Sequence, residues 1–407
     1  MRDGPTTKGR TLVVVAVVTL ALNLRPVANA MGAVMPELIR STGLSGAASG
    51  VLLALPTLAF GLLGSTAPSI ARRLGTHRTV LIALIALLTG QLVRAAVPSL
   101  LALFAGSLLA LAGIACANVL LPGLVRLHFP DRIGPMTAVY TTLMAVGAAT
   151  ASGITLPVSR ALGGDWRLGL GMWAAFAAVA VWPWAVLAMR SGPPPAGAAS
   201  APRIRLGAVA RTRLGWAMAL YFGLQALQAY VMFGWLPTIL ADAGVSDTAA
   251  ALQVAIIAAV GVPISAVTPT LVGRYPAPRL LIIVLTACYL AGYLGVLWAP
   301  TTLTWLWSVL LGIGGGAFPV ALTLIAMRAR TPAGTITLSA FAQSAGYLVA
   351  SIGPVLIGAL HDWTGGWRIP LICLCGVLAL HLLAGLAAAR PRYVEDELPA
   401  TTGPPAG

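Results

Sequence analysis

Apolar residues run along the chain in twelve long stretches, at about 12–35, 47–70, 79–97, 99–125, 135–161, 167–189, 212–241, 249–273, 279–299, 301–327, 333–360 and 366–388. A helix rises about 1.5 Å per residue, so about 20 apolar residues cross a hydrocarbon core about 30 Å thick. Each stretch therefore predicts a membrane-spanning helix. The one long polar interruption is "RSGPPPAGAASAPRIRLGAVAR" (190–211), rich in proline, alanine and arginine. The pattern predicts an all-α membrane protein: a tail at 1–11, six spans at 12–189, a linker at 190–211, six spans at 212–388 and a tail at 389–407.

Composition agrees with that reading. Of 407 residues, 58% are hydrophobic and 9% are charged, with a mean hydropathy of +0.92. Soluble domains carry about a quarter charged residues, so lipid is part of this chain's solvent. The net charge of +15 does not mark a nucleic-acid surface, because it is sorted by side. Nineteen of the 25 Lys and Arg fall in the N-terminal tail, the even-to-odd span loops, the linker and the C-terminal tail. The positive-inside rule then puts both termini and the linker in the cytoplasm, facing anionic lipid. Cys116, Cys288, Cys373 and Cys375 lie in apolar stretches without metal-ligand spacing and read as small buried hydrophobes. No cofactor is called for. The start of the chain reads as a span rather than a cleaved leader, since Arg25 interrupts its apolar run.

Shifting the chain by 201 residues aligns its halves. "MPELIRSTGLS" (35–45) falls on "LPTILADAGVS" (236–246), and "GDWR" (164–167) on "GGWR" (365–368). Pro68, Arg73 and Arg78 fall on Pro269, Arg274 and Arg279. Six spans repeated as six keep their direction, which makes a parallel repeat with an expected substrate site between the halves near the midplane.

Polar residues inside the spans are the candidate chemistry. "ALNLRPVANA" (21–30) places Arg25 well inside the first span. A charge there costs at least about 2.5–3.5 kcal/mol and is expected to face a cavity. Asn29 follows one turn later. The repeat-equivalent of Arg25 is Ala226, and Tyr221, Gln225 and Gln228 beside it form a polar stripe in span seven. Asn118 in span four and Gln343 and Tyr347 in span eleven are further candidates. No acidic residue lies in a span core to neutralise Arg25, which points to an anionic ligand gripped by the guanidinium fork. The competing reading is a structural clamp to backbone carbonyls. "GIGGGAFP" (312–319), with Gly314, Gly315 and Gly316, reads as a bending point for gating or as close packing.

"ALNLRPVANAMGAVMPELIRSTGLS" in span one and "FGLQALQAYVMFGWLPTILADAGVS" in span seven resemble the cyanate/nitroimidazole permease group (CynX/NimT-like) of the major facilitator superfamily. The resemblance covers the chain from Leu12 to Ala388. It implies alternating access by rocking of two six-helix bundles, with spans one, four, seven and ten lining the cavity. The superfamily's loop between spans two and three survives in "PSIARRLGTHR" (68–78) as Arg73 and Gly75, the expected gating pair. Pro68 and Arg72 replace that pattern's glycine and aspartate, so the aspartate's gate ion pair is missing.

The leading expectation is a monomeric inner-membrane transporter of a small organic or cyanate-like anion. The alternative is a proton-driven exporter of drugs or toxic metabolites such as nitro-heterocycles. A proton-coupled exporter calls for an embedded acid, which the span cores lack. An enzyme is disfavoured because no catalytic set or phosphate loop is present.

Overall fold

The computed structural model describes residues 7–43, 46–191, 205–275 and 277–398. Its N-terminal half comprises α1 (Thr7–Asn23), α2 (Pro26–Thr42), α3 (Gly46–Leu63), α4 (Ala67–Leu74), α5 (Thr76–Ala96), α6 (Leu100–His128), α7 (Ile133–Ala161) and α8 (Trp166–Arg190). After the short α9 (Leu206–Val209), the second half comprises α10 (Arg213–Asp242), α11 (Asp247–Arg274), α12 (Arg279–Trp298), α13 (Thr304–Gly314), α14 (Ala317–Met327), α15 (Pro332–Thr364) and α16 (Arg368–Ala388). Among the described residues there is no strand, and eleven helical stretches are long and apolar enough to cross a membrane. The second expected span, 47–70, coincides with α3, a 3-10 turn at Gly64–Thr66 and the start of α4. Most of the linker, 192–204, lies outside the described residues.

The repeat is visible in local geometry. Gly43 and Gly244 occupy equivalent positions and both have positive φ (66° and 93°), as do Gly164 and Gly365 (82° and 67°). These turns need a left-handed residue, which glycine supplies without a Cβ penalty. The tryptophan opening each half's last span makes the same bond. Trp166 Nε1 donates to Ser41 Oγ at 2.9 Å, and Trp367 Nε1 to Asp242 Oδ2 at 2.7 Å. Ser41 and Asp242 are themselves 201 positions apart. Helix pairing repeats likewise: α5 packs on α6 and α8 as α12 packs on α13 and α16. Without a hydrophobic force between helices in lipid, small residues let backbones approach closely. A Cβ on Gly223 of α10 would lie 2.7 Å from Gly346 Cα of α15, and one on Gly90 of α5 2.4 Å from the Gly106 carbonyl of α6.

The halves meet through α7 with α11 and through α3 and α6 with α15. Arg126 of α6 donates through Nη1 to the Ala326 carbonyl and through Nη2 to the Arg330 carbonyl, each at 3.0 Å. Thr141 Oγ1 donates to the Ser265 carbonyl at 3.0 Å. Gly134 lets α7 approach α11, since a Cβ there would meet Gly273 Cα at 3.0 Å. All of these bonds lie toward the end of the molecule where α1 begins and α16 ends. At the opposite end the polar pairs stay within one half: Arg160 with Glu37 at 3.4 Å, and Trp367 and His361 with Asp242. Among the described residues the halves are thus joined at the terminal end and joined by no polar pair at the far end.

Candidate substrate site

Two helix breaks build the site. Pro26 has no N–H to give to the Leu22 carbonyl and disfavours helical geometry at Arg25, so α1 stops at Asn23 and α2 restarts at Pro26. Gly147 of α7 packs on the freed Leu22 carbonyl, where a Cβ would stand 2.7 Å away. Asn23 turns to α8. Its Nδ2 donates to the Thr19 carbonyl at 2.8 Å and to the Phe176 carbonyl of α8 at 3.1 Å. The second break is Gly314-Gly315-Gly316, between α13 and α14. Gly314 lies against the Tyr289 ring and Gly316 against Ile264, where a Cβ would come within 2.5 Å of each. These glycines therefore pack as well as bend.

The breaks bring Arg25 and Phe318 together. The half-buried guanidinium carbon stands 5.0 Å from the Phe318 ring centroid. Tyr230 and Tyr347 adjoin Arg25, close enough for their hydroxyls to feel its charge. Tyr347 packs on Phe60 at 5.0 Å and edge-on against Phe222 at 5.1 Å, and Phe222 meets Phe318 at 5.9 Å. One cation is thus set among five aromatic rings from both halves. Among the described residues no carboxylate pairs with Arg25. A guanidinium lying over an aromatic face keeps its in-plane N–H donors for an anion.

The other expected site residues distribute around this centre. Tyr347 adjoins Arg25. Gln343, one turn along α15 toward the terminal end, donates through Nε2 to the Asn118 carbonyl at 3.3 Å and to Ser339 Oγ at 2.8 Å. That bond spans the halves, and the Asn118 Nδ2 beside it has no partner. Asn29 lies one turn further along α2, 3.5 Å from Ser152 Oγ. Gln225 is buried, with its Oε1 unpartnered.

The expected stripe on α10 needs correction. Tyr221 stacks on His381 of α16 at 4.8 Å, and Gln228 bonds Tyr293 of α12 and the Leu374 carbonyl of α16. Both turn into the second bundle, away from Arg25. The facing stripe is Phe222, Ala226 and Tyr230, spaced four apart and about 100° around the helix from the expected one. A signal for it was present: Ala226 is the repeat-equivalent of Arg25, and a twofold axis faces it directly toward that side chain.

The expected gate residues fare differently. Gly75 turns the chain between α4 and α5 at φ 87°. Arg73 is exposed and has no ion pair among the described residues. Arg126 instead supplies the two hydrogen bonds from an arginine to carbonyls of the other half. Arg94 is 1% exposed, inside the first bundle.

Helices broken part-way along, with polar groups at the breaks between two parallel repeats, are the architecture of a membrane transporter. The Major Facilitator Superfamily model matches residues 19–354. The chain is 33% identical over 383 residues to the uncharacterized transporter YycB of Bacillus subtilis, covering 94% of each. It is 30% identical to the 2-nitroimidazole transporter of Escherichia coli, covering 95% of this chain and 98% of that one. It is 26% identical to the cyanate transport protein CynX of Escherichia coli, covering 90% and 95%. The outward conformation of the transporter FucP superimposes with a TM-score of 0.74 at 13% identity, over 91% and 97% of the two chains. The chain belongs to the Major Facilitator Superfamily and is a CynX/NimT-like permease within it: a multi-pass membrane protein that transports a small molecule.

Proposed function

We propose that this permease carries a small planar anion, a carboxylate or cyanate-like group, and that Arg25 is its binding residue. The observation that carries the reading is a half-buried guanidinium at the junction of both halves, set among aromatic rings and without a carboxylate partner. In a site shielded from water, a fixed cation interacts far more strongly with an anion than it would in bulk. The arginine fork binds the charged end bidentately, the Tyr230 and Tyr347 hydroxyls donate beside it, and the ring faces take the planar body.

With both termini cytoplasmic in the inner membrane, as the arginine distribution favours, the end joined by Arg126 and Thr141 is the cytoplasmic one. The structure is then an outward-open state. A single chain suffices, because the site is complete within it. Segments 12–189 and 212–388 rock as two bodies, and anion binding at Arg25 draws their outer ends together while the Arg126 bonds release. No span core offers a carboxylate for proton coupling, which leaves facilitated diffusion, anion exchange or protonation of the substrate itself as the modes of transport. No role in catalysis is assigned.

A second reading has its own support. The relative that carries 2-nitroimidazole and the five-ring cage both favour a nitro-heterocycle exporter. Thermal unfolding of the purified protein with cyanate, benzoate and 2-nitroimidazole tests the two. Stabilisation by anions that is lost in Arg25→Gln supports the first. Stabilisation by 2-nitroimidazole alone, unchanged in Arg25→Gln, overturns it.

A further inference from the structure

The first bundle holds a second cation that substrate transport does not use. Arg94 of α5 is 1% exposed. Its Nη1 donates to the Val27 carbonyl at 3.3 Å, while Nε and Nη2 have no partner. It lines a small cavity between α2, α3, α5 and α6 whose other polar wall is Ser107, 2% exposed and with an unpartnered hydroxyl. Met31, Leu52 and Leu111 close the rest. The cavity has about 20 Å³ of room for a water-sized sphere, which is space for one or two waters or a single halide ion.

Packing does not require a charge here. At the equivalent place in the second half Arg94 becomes Gly295, and Gly106, against which Arg94 packs, becomes Trp307. There the indole fills the gap, a Cβ on Gly295 meeting it at 2.1 Å. The same helix pair is thus satisfied by an apolar ring in one half and by an arginine in the other. A buried cation with two idle donors is costly unless something negative shares its cavity, and no described carboxylate pairs with it.

We propose that Arg94 and Ser107 bind one small monovalent anion, of which chloride is the abundant example, at a site separate from Arg25. The ion neutralises Arg94 and fixes α5 and α6 to the start of α2, next to the break that carries Arg25. This site does not depend on what Arg25 binds.

The test is thermal unfolding of the purified full chain in sodium gluconate, titrated with sodium bromide. The expected result is a saturable rise in melting temperature that persists in Arg25→Gln and disappears in Arg94→Gln. Ser107→Ala is expected to raise the bromide midpoint roughly tenfold, the loss of one hydrogen bond to a charge. No bromide effect on the native protein means the cavity holds water and overturns the proposal, as does an effect kept in Arg94→Gln. Where Arg94→Gln does not yield folded protein, Ser107→Ala decides, and an unchanged midpoint overturns the proposal.

Discussion

Removing the Arg126 side chain is expected to tip the molecule toward the state open at its terminal end. In the structure that guanidinium gives two bonds of 3.0 Å to carbonyls of the other half, one partly buried and one exposed. A bond from a charged donor contributes about 1.5–3 kcal/mol when buried and less when water competes. Discounting both for exposure leaves about 1.5–2 kcal/mol favouring the closed terminal end, or a factor of roughly 10–30 in the conformational equilibrium. Thr141 and the Gly134–Gly273 contact remain, so the closed state weakens without being abolished. The assay is double electron–electron resonance between spin labels at Asp131→Cys and Ala333→Cys, both exposed. The background replaces the four native cysteines. Arg126→Ala is expected to raise the longer-distance population by about that factor. A distance distribution identical to that of the parent would refute the argument that this arginine latches the halves.

Other consequences are open to direct measurement. Tyr230→Phe and Tyr347→Phe each delete one hydroxyl near Arg25, and each is expected to weaken anion binding about 5- to 10-fold in calorimetry with little change in melting temperature. Gly147→Val is expected to lower the melting temperature sharply or prevent folding, because its Cβ would strike the Leu22 carbonyl, whereas Gly32→Ala, with nothing within 4 Å, is expected to be neutral. Trp166→Phe and Trp367→Phe each lose one of the paired indole bonds. Each is expected to cost about 0.5–1.5 kcal/mol in unfolding measurements, and similar losses at both positions are the signature of the repeat.

The architecture was readable because bilayer physics writes it plainly. Spans appear as long apolar runs, and duplication appears as turn glycines and tryptophans held at one offset. The structure added that those tryptophans make equivalent bonds. For the candidate site, the depth of Arg25 in its span was legible, and the direction of its neighbours' side chains was not. Arg25 stood out because a charge in hydrocarbon needs a reason. Choosing the partner face by polarity picked Tyr221 and Gln228, which meet His381, Tyr293 and the Leu374 carbonyl inside the second bundle. Choosing it by symmetry around Ala226 would have picked Phe222 and Tyr230. Phe60 and Phe318 were illegible, since an aromatic residue in a membrane helix looks the same facing lipid, neighbour or ligand. Arg94 was illegible for a related reason: closeness to a helix end in sequence does not fix whether a long side chain reaches out or folds inward.

The central claim is that one guanidinium holds anionic cargo. Anion binding to Arg25→Gln, measured by calorimetry on protein whose fold is verified by circular dichroism, tests it most directly. Loss of a charged partner from a desolvated pair costs about 2–5 kcal/mol, so binding of cyanate or benzoate is expected to weaken by roughly 30-fold to several-thousand-fold. Arg25→Lys is expected to recover little, because a point charge lacks the fork. Native-like anion affinity in folded Arg25→Gln protein would contradict the account.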